Sequence, residues 1–419
     1  QGLLVTGGAG SYERAFGGVR WGGAGGEDVT YRVYTQYRLR DEAGSQATGG
    51  NADDQWENVL GGGRVDWNIS PEDRLTLYAD LRHVDIDEVV TRNFLDPPFS
   101  REVPDNAEYF GRYLMAVWRH EFADESNFQL QAFYDGYTWD EPTFREDRNT
   151  FDIEFQHQLE VGNRHALVWG VGFRHTQDDI DGSEFVNFSP DSRGDQTFSA
   201  FLQDDITLTE SLHLILGTKI EHNDYSGVEV QPNVRLRWTP NERHTVWAAV
   251  SRAVRSPSRA EDDVRLRNIT AAGPTEAVLL GDHSFKSEDL LATELGYRVR
   301  ATDSLAFDLA LFYNRYDDLR TLEPEAAFVD NGVTVLPFVA RNNGDAETYG
   351  LEIAADWTPK TWWQLRAAYS YLYVDLDIPS TDPVRNPLLT AIRGLARWHR
   401  HRFVCGIGRP PGMAPDRRP

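Results

Sequence analysis

The segment LAFDLALFYN, Leu305–Asn314, alternates without interruption. Leu305, Phe307, Leu309, Leu311 and Tyr313 fall on one side of an extended chain, and that period of two is the signature of a strand rather than a helix. The same reading holds for LTLYADLR (Leu75–Arg82), where Leu75, Leu77, Ala79 and Leu81 oppose Thr76, Tyr78, Asp80 and Arg82. It holds again in SNFQLQAFYD (Ser126–Asp135) and in WQLRAAYSYLY (Trp363–Tyr373), where Trp363, Leu365, Ala367, Tyr369, Tyr371 and Tyr373 share a face. No convincing helical segment competes, so the chain is read as all-β.

Composition narrows the setting. The 419 residues carry a net charge of -24, which disfavours a nucleic-acid partner. Mean hydropathy is -0.53 and no apolar run is long enough for a membrane helix, yet a transmembrane barrel needs only alternation. The single cysteine, Cys405, excludes an internal disulfide or a thiolate metal cluster. The sequence opens on Gln1 with neither a Met nor a signal-like leader, and is read as a mature product or a fragment.

Connections decide which all-β fold this is. Tight turns are expected at 22–28, 68–73, 122–126, 161–164, 208–211, 239–243, 301–304 and 358–361. Between them fall the other connections, mostly longer and more polar, at about 41–53, 86–107, 178–195, 256–285, 319–336 and 377–387, with shorter ones near 140–144 and 224–228. Strict alternation places all tight turns on one edge of an antiparallel meander and the other set on the opposite edge. Outer-membrane barrels have that asymmetry. Trp67, Trp238, Trp357, Trp362 and Trp363 flank tight turns and are expected to form an aromatic girdle at the inner lipid boundary. The expected fold is therefore a transmembrane antiparallel up-and-down β-barrel of about seventeen strands over residues 1–387. Because such barrels have even strand counts, it is expected to be partial. From about Leu388 the alternation stops. Residues 388–419 carry seven arginines between Arg393 and Arg418 against one acid, Asp416, and are expected to be an aberrant, out-of-frame or disordered basic tail.

Several stretches resemble the TonB-dependent outer-membrane receptors of Gram-negative bacteria: GLLVTGGAGSYERAFGGVRWGG at the start, VWAAVSRAVRSPSRAE (Val246–Glu261), FKSEDLLATELGYRVRATDSLAFDLALFYNRYDDLRTLEP (Phe285–Pro324) and ETYGLEIAADWTPKTWWQLRAAYSYL (Glu347–Leu372). The resemblance runs through most of 1–387. It implies a barrel of 22 strands filled by an N-terminal plug, coupled through a TonB box to TonB, ExbB and ExbD, and importing ferric siderophores, haem, cobalamin or similar scarce ligands. Against that pattern the plug, the TonB box and four or five strands are missing from this sequence. The function expected is TonB-energised uptake, most often of a ferric siderophore. The alternatives are a plugless porin-like passive channel, or a cobalamin, haem or carbohydrate receptor of the same family. No cofactor and no resident metal are expected, and the partners are outer-membrane lipid and lipopolysaccharide as well as TonB.

No catalytic constellation stands out, and the chain is read as not an enzyme. The eleven histidines are scattered, without an HExxH pair, and no serine sits in a nucleophile elbow. DDIDGSE, Asp178–Glu184, has the look of half a calcium loop but lacks the closing glutamate, and is read as a solvated acidic loop. A ligand would meet the long-loop edge. Trp139, Arg145, Arg193, Tyr225, Arg255 and Arg341 near strand ends are the candidate contacts, guanidinium groups and aromatic faces being suited to an anionic iron chelate. The competing reading of each is an ordinary rim residue bonded to its barrel neighbours. Arg252, Arg255 and Arg259 of VWAAVSRAVRSPSRAEDD, Val246–Asp263, are expected at the outer rim, facing lipid headgroups or an anionic ligand.

Overall fold

A computed structural model describes residues 2–44, 49–93, 100–123, 126–269, 275–378 and 397–408, the last by backbone alone. Strand follows strand. β1 (Gly2–Gly8), β2 (Ala15–Ala24), β3 (Val29–Arg40), β4 (Trp56–Asn68), β5 (Asp73–Asn93), β6 (Ser100–Glu121), β7 (Asn127–Glu141), β8 (Phe144–Val161) and β9 (His165–Asp181) each pair antiparallel with the next. The meander then steps over β10 (Val186–Phe188) to β11 (Ser192–Thr209), and runs on through β12 (Leu212–Asn223), β13 (Gly227–Asn241) and β14 (His244–Arg255). It steps over β15 (Val264–Ile269) and β16 (Thr275–Leu280) to β17 (Glu288–Thr302) and β18 (Leu305–Pro324). It passes β19 (Phe328–Asp330) to reach β20 (Val333–Lys360), β21 (Trp363–Asp377) and β22 (Arg397–Gly408).

The seventeen spans expected from alternation are all present. The five further strands arise differently. β10, β15, β16 and β19 are short pieces folded inside the long connections, and β22 is formed by the basic tail, whose remaining residues lie outside the described ones. The 22 strands of the sheet are thus not a count of barrel staves. Among the described residues β1 pairs only with β2, and β22 only with β21.

The two faces are chemically opposite because side chains alternate along each strand. On β5, Leu77 and Leu81 are 41% and 56% exposed while Thr76 between them and the turn is buried. Register carries the apolar face to the neighbour, since Leu77 opposes Ala116 and Ala79 opposes Leu114, itself 56% exposed. Phe198, Leu202, Leu216, Ile220, Val234, Val250, Leu295 and Leu311 continue that surface around the sheet. A contiguous apolar belt of this extent belongs in hydrocarbon, not water. The opposite face is polar and internally bonded. Tyr34 and Tyr78 hydroxyls meet at 2.7 Å, Arg64 and Thr76 both donate to Asp66 at 2.8 Å or less, and Arg174 donates to Asp152 at 2.9 Å.

Connections alternate as expected, and the tight edge is tight. Gly162 turns between β8 and β9 with φ +64, a left-handed conformation that L side chains adopt only under strain. The other edge departs from expectation in two ways. The connection expected over 86–107 is largely strand, because β5 and β6 continue their pairing out to Asn93 and Ser100. The connections over 178–195, 256–285 and 319–336 are not merely polar loops. β10 pairs with β15, β15 with β16, and β16 runs parallel to the first part of β20, with Thr275 opposite Thr334 and Leu280 opposite Val339. One turn and a half of helix, α1 (Arg259–Asp263), leads into β15. These pieces form a second, small layer over the loop edge. Its core is Val264, Val278, Phe285, Val335, Val339 and Ala340, all buried.

Candidate functional site

The chemistry of the loop edge begins with a proline. Pro257 cannot donate to the ladder, so β14 stops at Arg255 and the chain turns at Ser258 into α1. The Ser258 backbone N–H and hydroxyl both donate to Glu261 Oε2 at 2.8 Å, which closes the turn on itself. α1 then presents three consecutive acids, Glu261, Asp262 and Asp263, each buried.

Each acid is held by arginines from other strands. Glu261 accepts from Arg255 on β14 at 2.8 and 3.2 Å and from Arg320 on β18 at 3.2 Å. Burial works to raise the Glu261 carboxyl, but the Arg255 and Ser258 hydrogen bonds outweigh it and leave it below the usual carboxylate range. Asp262 takes Arg193 of β11 and also His283, at 3.0 Å. Asp263 takes Arg193 and Arg259, both at 3.2 Å. Arg259, 5% exposed, reaches back to Asp178 on β9, to the Pro190 carbonyl and over the Phe188 ring at 5.2 Å. A short acidic helix is thereby clasped to four strands.

The expected contact residues fall into this frame unevenly. Arg193 and Tyr225 meet: the Arg193 guanidinium lies 4.3 Å from the Tyr225 ring centre, and both bind Asp195, at 2.8 and 2.6 Å. Burial, then the hydrogen bond to Asp195, pushes the Tyr225 phenol well above its ordinary value. Arg255 is held by Glu288 and Glu261, and Arg341 by Asp282 and by Glu325 at 3.4 Å. Trp139 and Arg145 stand apart, on β7 and β8. The Trp139 indole donates to Glu141 at 3.0 Å, and the exposed Arg145 contacts Asp140 and Asp147. Arg252, Arg255 and Arg259 are each held by acids of this same chain, Arg259 buried and the other two part-exposed. The reading of Asp178 as part of a solvated loop is likewise corrected. It is 1% exposed, between Arg259 and Arg148, where desolvation of a carboxylate requires such partners.

Sequence reasoning did not find Asp178, Arg148 or Arg174 as site residues. Together with Arg259 and Tyr225 they line a cavity of about 400 Å³ on the polar face, beneath α1. Among the described residues, Arg148 Nε is buried there without a hydrogen-bond partner. At the other edge, Trp67, Trp238, Trp357 and Trp362 are 44%, 48%, 41% and 63% exposed beside tight turns, and Trp363 packs 6.2 Å from Trp357. Trp118, which the sequence reading did not single out, opposes Leu75 on the same face and donates to Asp73 at 2.9 Å.

With that geometry in place, comparison with known proteins is direct. Residues 6–404 match the family described as "TonB dependent receptor-like, beta-barrel". The chain belongs to the TonB-dependent receptors. An iron-regulated outer membrane virulence protein of Vibrio cholerae is 24% identical over 213 residues, half of this chain and 32% of that protein, so the match spans about a third of the relative's length. The siderophore receptor PirA of Pseudomonas aeruginosa superposes with a TM-score of 0.68 at 15% identity, covering 90% of this receptor chain and 68% of PirA. The ferric enterobactin receptor PfeA of the same organism, as a mutant, gives 0.69 at 16% identity over 91% and 65%. Another PfeA mutant, in complex with enterobactin, gives 0.65 at 18% identity over 91% and 66%. These likenesses show the fold. As a TonB-dependent receptor the chain resides in the outer membrane of a Gram-negative cell, in a family of transport receptors rather than enzymes.

Proposed function

We propose that this barrel serves TonB-energised uptake of a scarce nutrient, a ferric siderophore, which enters at the loop-bearing rim. The observation that carries the reading is the cavity under α1, where Arg148, Arg174, Arg259 and Tyr225 converge on the polar face beside the carboxylates Glu146, Asp178 and Asp195. Cationic guanidinium groups and a phenol suit the anionic oxygens and aromatic rings of an iron chelate. Arg193, Arg255 and Arg341 would act there mainly through the acids they hold, and Trp139 and Arg145 would meet a ligand only on its way in. Because the rim arginines are already paired, a chelate gains by exchanging carboxylate partners rather than by finding free charge. Release inward would then require energy from TonB, ExbB and ExbD. The related folds are those of siderophore receptors, one with enterobactin, which supports an iron chelate over other cargo. The tryptophans at the tight-turn edge would fix depth at the inner boundary of the lipid, with lipopolysaccharide around the other edge.

The test is a quenching titration of the receptor in detergent with ferric catecholate and ferric hydroxamate chelates. Saturable binding of one class, weakened at least tenfold by Arg148→Ala, is expected. Equal, non-saturating response to every chelate would rule the cavity out.

A further inference from the structure

The arginines and acids of the loop edge are paired with one another, but three donors on the outer wall are not. Among the described residues, the side chains of His83, Asp85 and Glu108 make no hydrogen bond or ion pair, and their ligand atoms lie within 4.8 Å of one another. The register of two long strands brings them together. Asp85 on β5 stands directly opposite Glu108 on β6, and His83, two residues before Asp85, stands opposite Phe110. Opposed residues of an antiparallel pair share a face, as do residues two apart. That face is the one that carries Leu77, Leu81, Phe110 and Leu114 to the outside. The trio therefore sits where the apolar belt ends, on the outer wall toward the loop edge. Arg112, just below it, is committed to Tyr134 and Asn149, each at 2.9 Å, and does not neutralise the two carboxylates.

We infer that His83, Asp85 and Glu108 form a binding site for a divalent first-row transition cation on the outer wall of the barrel. Two carboxylates supply the charge that matches such an ion, and a neutral imidazole adds a borderline nitrogen donor that Mg²⁺ and Ca²⁺ do not favour. A cation about 2.1 Å from each donor needs donors about 3 to 3.5 Å apart, so a small rotation of the exposed Glu108 side chain closes the set. Asp85 and His83 are fixed by ladder pairing that continues from Asp73 to Asn93, so little ordering remains for the ion to impose. Three protein ligands leave further positions to water. No spacing motif announces this site, because residues 83–85 and 108 become neighbours only through the β5–β6 register.

The experiment titrates the full chain, folded in detergent, with Zn²⁺ by calorimetry and with Co²⁺ by visible absorption. One equivalent is expected, with a Co²⁺ band from mixed nitrogen and oxygen ligation, and millimolar Mg²⁺ should not displace it. His83→Gln and Asp85→Asn should each weaken binding at least tenfold and remove the band, while His120→Gln at the opposite edge leaves both unchanged. Glu108→Gln, at an exposed position, tests the site should either of the other variants fail to give the heat-modifiable barrel. Wild-type affinity in the folded variants, or no saturable Zn²⁺ binding at all, would overturn the assignment.

Discussion

Arg259 shows how one side chain can hold a loop. It is 5% exposed and binds Asp178 and Asp263, both almost fully buried. Arg259→Met would leave Asp178 with Arg148 and Asp263 with Arg193 as their remaining arginine partners, a loss on the order of 1–3 kcal/mol. Its expected signature is rapid protease cleavage within 256–287 while the strands stay protected. Arg145→Ala removes an ion pair whose partners are 49% and 47% exposed and screened by solvent, and should leave the cleavage pattern unchanged. Gly281 makes a different demand. A Cβ there would lie 2.6 Å from the Asp262 carbonyl carbon and the Asp263 nitrogen, both backbone atoms. Gly281→Val should therefore push α1 off the rim and reproduce the Arg259→Met cleavage pattern without altering any charge. Cleavage no faster than in the parent would mean that the helix does not need this close approach.

Among the elements, α1 with its acids behaves as a unit whose docking depends on ionised carboxylates. The Glu261 carboxyl is depressed in the folded protein, so it binds its proton less readily there than in the undocked chain. Its contribution is present above the ordinary carboxylate range, near pH 4.3, and is lost as pH falls through the depressed value. Amide protection factors in the 256–287 segment, taken relative to the intrinsic rate at each pH, should stay high from pH 8 to about 5 and fall below about pH 4 before those of the spanning strands do. The spanning elements were legible in sequence because each is long and strictly alternating, as LAFDLALFYN and LTLYADLR are. β10 and β19 were not, being three residues each, too short to show any period. β15 and β16 owe their existence to pairing with β10 and with β20 rather than to their own pattern. The clasp was invisible for a related reason. Asp178 and Arg259 lie 81 residues apart, and charge pairing at that separation leaves no local mark. Sequence could place Arg193 and Tyr225 near strand ends, but not show that both converge on Asp195.

Across the whole molecule, two faces of one sheet meet different solvents. Leu202 is 50% exposed on the apolar face of β11, and Gln203 follows it on the polar face. Leu202→Arg should destabilise the barrel in lipid by roughly 2–4 kcal/mol if its depth is near the midplane, and Gln203→Arg by much less. Reversible urea unfolding in bilayers would measure both, and equal losses would mean that the belt does not face lipid. The same architecture puts the cavity under α1 on the polar face at one edge and the tight turns at the other. The measurement that reaches this account most directly is uptake of radiolabelled iron, delivered as a ferric siderophore, by cells that depend on this receptor. Uptake is expected to require the receptor gene and a functional TonB, and to fall several-fold with Arg148→Ala at unchanged receptor abundance. Uptake that persists undiminished without TonB, or without the receptor, would contradict it.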